Sequence, residues 1–161
     1  MGTMAGIARE MALRAHHESI CLETSRCLEF LDITEAVRER VRRSGVRDGL
    51  VNLQTRHTTT AILVGEHEPL LIEDLTALLE KLAPCRSQYR HDDFTVRTVN
   101  MCPDEEKNGH SHCKALFLRS SETLNVVEGR MDLGAWQRIF LIELDRARAR
   151  TVSVMVLGTE A

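Results

Sequence analysis

Apolar residues first repeat with a period of two over residues 17–24, HESICLET, where Ile20, Leu22 and Thr24 alternate with polar neighbours. That is the pattern of a half-buried strand. The period then lengthens: Asp32, three residues ahead of Glu35, opens a segment with Ile33, Val37 and Val41 on one helical face, ending near Gly45. Residues 49–66, GLVNLQTRHTTTAILVGE, are rich in β-branched side chains and long enough for two strands or one long bent one. Pro69 suits a first helical turn, and Leu71, Leu75, Leu78 and Leu82 recur at helical spacing up to Pro84. On that wheel Glu73 points away from the leucines, whereas Asp74 lies at the edge of the stripe, within reach of an interior cleft.

Residues 84–109 carry turn-formers and charges with little periodicity, which predicts a long loop with at most a short strand at FTVRTV. HCKALFL fits a helix or a strand. Further on, TLNVVEGRMDL predicts a hairpin around Glu128-Gly129, WQRIFLIEL a central strand apolar on both faces, and TVSVMVL a strand with clean alternation. Strands segregated with two to three helices predict an α+β fold with a mixed or antiparallel sheet. A strand apolar on both faces needs cover on both, which self-association could supply.

Length and charge narrow the classes. A chain of 161 residues suits one hydrophobic core, read as a single domain over 16–161 behind an N-terminal extension, 1–15, in which Met4 and Met11 are alternative starts. A formal charge of −3 provides no basic field for nucleic acid. No apolar run approaches the roughly 18 residues that span a bilayer, and the first residues are unlike a signal peptide, so the expected location is cytoplasmic. Five cysteines form no C-x-x-C pair, and their odd number argues against a disulfide framework. Cys102, His110, His112 and Cys113 lack the tight ligand spacing of structural zinc modules, and buried or idle thiols are the plainer reading.

Nucleotide-binding and hydrolase-elbow signatures are missing. What remains is a scatter of polar residues in apolar surroundings: His57 at a strand end, Glu66, Asp74, His91, and the stretch NGHSHCK at 108–114. A histidine at a strand end is more often a hydrogen-bonded structural residue than a ligand, yet imidazole and carboxylate are the donors that zinc-like ions prefer. His110 and His112, two apart, point to nearly opposite sides of a helix, so only one of them is expected to matter there. Lys114 and Arg138 are candidate anion binders, although a solvated surface charge is the commoner role. Gln137 and Glu143 share one face of the apolar strand and would be buried polar groups in need of partners.

Taken in order, His57-Thr58-Thr59, Glu66 followed by Glu68-Pro69 and Asp74, then Asn108 with His112-x-Lys114, and finally EGRMDLGAWQRIFLIELD resemble the YjbQ-like family of secondary thiamine-phosphate synthases over about residues 17–158. The resemblance implies an α+β domain assembling as a homotrimer, with a cleft for a divalent metal ion, zinc or magnesium, and a small phosphorylated or anionic substrate. The implied activity joins an aminopyrimidine diphosphate to a thiazole phosphate. It implies His57, Glu66, Asp74 and His112 as the catalytic set, His57, His112 and His91 as metal ligands, and Thr58, Asn108, Lys114 and Gln137 as substrate-binding residues. His110 falls where the family is variable. Gly65 stands where an Asn is usual, Asn125 replaces a Pro, Ala135 a Thr, and Arg146-Ala147 a Gly-Pro. The same residues would also suit a metal-dependent hydrolase or lyase of a small anion, or a trimeric protein that binds an anion and catalyses nothing.

Overall fold

The structure is a computed structural model that describes residues 12–160. In chain order its elements are β1 (Leu13–Glu23), β2 (Glu29–Asp32), α1 (Thr34–Ser44), β3 (Asp48–Thr55), β4 (Thr60–Glu66), α2 (Pro69–Leu82), α3 (Gly109–Ala115), β5 (Ser121–Val127), β6 (Arg130–Met131), β7 (Gln137–Glu143) and β8 (Ala149–Thr159). Of the segment expected as an extension, residues 1–11 lie outside the described residues, and β1 has already begun at Leu13.

All strand pairings are antiparallel. One sheet has the order β1-β8-β3-β5-β6, the other β2-β7-β4. The main core lies between the two sheets and α1: Val37 and Val41 of the helix meet Ile139 and Leu141 of β7 and Val152, Val154 and Val156 of β8. On the opposite face of the small sheet, Ala61, Phe140 and Ile142 pack under Leu79 of α2, with Ala115 and Leu118 beside them. Ile139 to Glu143 are therefore all buried within one chain, and β7 needs no second subunit to cover it.

Local chemistry accounts for the ends of the elements. α1 stops at Gly45, which takes φ 70°. Pro69 starts α2, where the Glu68 carboxylate accepts the amides of Leu70 (3.0 Å) and Leu71 (2.7 Å). The β5–β6 hairpin turns through Glu128 and Gly129, both at positive φ as a two-residue type I′ connection requires.

Two expectations change. The leucine stripe of α2 is rotated: Leu79 is its buried anchor, while Leu78 and Leu82 are exposed, because leucines lie nearly all round this helix and periodicity alone does not choose a face. FTVRTV forms no strand; it has no neighbour to pair with, and Val96 and Val99 are exposed.

Candidate functional site

The loop between α2 and α3 is fastened at one point. A short 3-10 turn, Arg90–Asp92, brings Asp92 under the start of α3, where its Oδ1 accepts the amides of Asn108 (2.9 Å) and Gly109 (2.8 Å). Gly109 permits the approach, since a Cβ there would lie 2.5 Å from Tyr89 Cβ. The result sets His91 against His112, ring centroids 4.6 Å apart at 62°. Asn108 and His112, four residues apart, share one face of α3.

This corner holds polar atoms without partners. His91 Nε2 and Asn108 Oδ1 are buried and make no hydrogen bond, and Asn108 is 7% exposed. Asp145 Oδ2 also lacks one, although Arg148 Nη2 approaches it to 3.2 Å off the hydrogen-bond line. Unpaired buried polar atoms are costly, so this corner offers open hydrogen-bonding positions to a water or a ligand. Burial, then His91 and Arg97, hold the His112 imidazole below the usual histidine range, so it is neutral at pH 7. Beside His91 opens a hollow of about 480 Å³ lined by Arg90, His91, Val96, Arg97, Val99 and Asn100.

The far side of α3 is structural. Ser111 Oγ donates to Leu144 O (2.7 Å), and Leu144 N in turn donates to Thr59 O (3.1 Å), which ties α3 to the start of β4. Lys114 is fully buried. Its ammonium donates to Ala83 O (2.7 Å) and His110 Nδ1 (3.2 Å) and stands 3.1 Å from the Glu80 carboxylate. An ammonium only donates, so His110 Nδ1 carries the lone pair and the ring proton sits on Nε2. Lys114 was expected to hold a substrate anion; sealed among three acceptors, it joins α2 to α3 instead.

His57 sits in the turn between β3 and β4, and its Nε2 accepts the Thr151 amide (2.9 Å), which occupies the lone pair a base or ligand would use. Burial first, then the Arg150 charge, hold its imidazole below the usual range. Next to it the Glu143 carboxylate, 0% exposed, receives Arg150 through two contacts of 2.6 Å, and Arg150 reaches Thr59 Oγ1 at 3.2 Å. His57 and Thr59 thus fasten the turn to β8, while Thr58 is exposed.

Glu66 and Gln137 face each other in register at the opposite end of the β4–β7 pair, both exposed, and Asp74 is exposed on α2. Seven residues of β4, about 20 Å of extended chain, separate them from the end carrying His57 and α3. The structure therefore brings together His91, Asn108 and His112, keeps His57 and Lys114 nearby in structural roles, and leaves Glu66, Asp74 and Gln137 elsewhere in the same chain. Among the described residues no three His, Cys, Asp or Glu side chains are placed to hold one ion. The donor set of one chain does not fit the implied metal, and Cys102, His110, His112 and Cys113 form no cluster.

Sequence reasoning passed over Asp92, Glu80, Asp145, Arg150 and Arg90. Only Asp92 left a signal, as the neighbour of His91 ahead of an Asn-Gly pair. Glu80 and Arg150 find partners far along the chain, Lys114 and Thr59, while Asp145 meets the nearby Arg148 and Arg90 stands without a carboxylate among the described residues.

Residues 18–159 match the profile of the family described as UPF0047 protein YjbQ-like. The chain belongs to the YjbQ/UPF0047 family. Its relatives include the UPF0047 protein of Methanothermobacter thermautotrophicus, 36% identical over 146 residues that span 91% of this chain and 94% of that one. The UPF0047 protein of Archaeoglobus fulgidus is 39% identical, over 86% of this chain and 98% of its own. Among solved structures, a YbjQ-like protein of unknown function from Sulfolobus solfataricus P2 superposes with a TM-score of 0.82 at 31% identity, covering 91% of this chain and 99% of that one. A hypothetical protein from Aeropyrum pernix K1 gives 0.78 at 34% identity, over 89% and 98%. Residues 91 and 108–114 fall inside the matched span. No helix among the described residues is long and apolar enough to cross a membrane.

Proposed function

We propose that this YjbQ-like protein is an enzyme of the secondary thiamine-phosphate synthase type, acting on small phosphorylated substrates, with His112 as the hydrogen-bond donor to its leaving group. One observation carries the reading: a neutral, half-buried imidazole packs against a second imidazole beside the unpartnered Asn108 Oδ1 and His91 Nε2. In the transfer, the thiazole nitrogen bonds to the exocyclic methylene carbon of the pyrimidine. The carbon–oxygen bond to diphosphate breaks and its electron pair leaves with the diphosphate. The site must stabilise that growing negative charge. His112, neutral, gives a hydrogen bond from its N–H to the departing oxygen while keeping its proton, and Asn108 Oδ1 accepts from the amino group of the pyrimidine. No step is assigned to a metal, because one chain does not gather the ligands for it.

The test is product formation from the two precursors by the wild type, His112→Ala and His57→Gln. Thiamine phosphate from the wild type, lost in His112→Ala by about a hundredfold or more as expected on removing a hydrogen-bond donor to the developing charge, supports the reading. Equal turnover without His112 removes it from the mechanism. Saturable binding of the precursors without product would instead favour a non-catalytic binding protein.

We further propose that the chain assembles as a homotrimer through the outer face of the larger sheet. The three middle rows of that face, from Ala15, Leu157, Leu50 and Asn125 to Ser19, Ser153, Gln54 and Ser121, hold twelve side chains and no Asp, Glu, Lys or Arg. In a chain with 28% charged residues, an exposed face without charge is unusual for a surface left in water. Leu50, Met155 and Leu157 are exposed on it.

A further inference from the structure

Two cations line the hollow beside His91, and they differ in what occupies them. Arg97 is 11% exposed in its side chain and fully engaged: it pairs with Glu105 and donates to Asn100 O (2.6 Å) and His91 O (3.3 Å). Its charge is compensated and its donors close the loop. Arg90 is exposed and pairs with no carboxylate among the described residues. Its backbone is nevertheless fixed, because Arg90 opens the 3-10 turn that Asp92 anchors to the start of α3. Arg90 also lines a second hollow of about 1010 Å³, together with Arg86 and Lys107. Each acid on that rim has one oxygen committed. Asp92 Oδ1 holds two α3 amides, and Asp93 Oδ1 accepts the amide (3.1 Å) and hydroxyl (2.6 Å) of Thr95. Asp93 also feels Arg90 and Lys107, after Thr95, without forming an ion pair.

We infer that Arg90 is the anion-holding residue of this site, and that the hollow beside His91 takes a phosphate or diphosphate group carried by the substrate. The residue is placed for it. A rigid turn presents a guanidinium at the mouth of a hollow walled by Val96 and Val99, one residue from the imidazole that packs on His112. A planar fork of N–H donors matches phosphate oxygens in a way that an ammonium does not. Arg90 thereby fills the role that Lys114, sealed in the α2–α3 seam, leaves open. The inference rests on the synthase reading for the identity of the substrate and not for the anion site.

Inorganic diphosphate is the probe, titrated by calorimetry into the full chain. The wild type should bind it saturably, Arg90→Ala about tenfold or more weakly, and Arg90→Lys in between, since charge is kept and the fork lost. Arg130→Ala, on the β5–β6 hairpin, should bind like the wild type. Equal affinity in Arg90→Ala, or no saturable binding in the wild type, would overturn the inference. Arg90-dependent binding with no thiamine phosphate formed would keep the anion site and end the synthase reading. Turnover with an unchanged KM for the diphosphate substrate in Arg90→Ala would do the reverse.

Discussion

Glu143 offers the sharpest energetic test. Both of its oxygens are used: Oε1 accepts from Arg150 Nη2 and from the Asp145 amide (2.9 Å), Oε2 from Arg150 Nε and from Thr24 Oγ1 (3.0 Å). Glu143→Ala leaves a guanidinium that is 4% exposed with Thr59 Oγ1 as its remaining side-chain partner. Removing one partner of a buried pair costs about 3–5 kcal/mol, a large share of the roughly 5–15 kcal/mol that holds a domain folded. At about 2–4 °C per kcal/mol for a chain of this size, the melting temperature should fall by roughly 10 °C. Glu143→Leu with Arg150→Met removes both charges and should recover most of that loss, because the desolvation cost goes with them. Urea denaturation of the two variants and the wild type measures both quantities. A loss under about 1 kcal/mol for Glu143→Ala, or a double variant no more stable than the single one, would refute the claim that an orphaned Arg150 charge sets the penalty.

Acidification should weaken the fold. His57, His110 and His112 are each held below the usual histidine range, chiefly by burial, so the unfolded chain takes up protons near pH 6.5 that the folded chain refuses until lower pH. This contribution is complete above about pH 6.5 and lost as pH falls through the depressed values, so the urea midpoint should drop between pH 7.5 and 5.5; a flat midpoint would contradict it. Leu157→Asp, which puts a charge on the uncharged sheet face, should convert three-chain particles to single chains in light scattering. Single chains in the wild type at micromolar concentration would end the trimer proposal.

Much of the fold was legible because local signals agreed with the tertiary outcome. Pro69 and Gly45 bound their helices, Glu128-Gly129 turns its hairpin, and β7 is apolar on both faces because α2 and the larger sheet cover it. α3 was ambiguous because a seven-residue run is too short for periodicity to separate helix from strand. For the site, only the family resemblance pairs Asn108 with His112, since their spacing puts them on one face only once the segment is known to be a helix. Lys114 could not be placed, since Glu80 and Ala83, more than thirty positions upstream, decide whether its charge meets solvent or protein. Glu66 and His57 are close in sequence, but extended chain carries them to opposite ends of a strand.

Lysine is scarce here: Lys81, Lys107 and Lys114 are the three in the chain, and the first two are exposed. An acylating reagent finds those two amines at once. It reaches the third only in the moments when α2 lifts from α3, so the slow tagging of Lys114 itself, followed by peptide mapping, is a clock for how often that seam breathes.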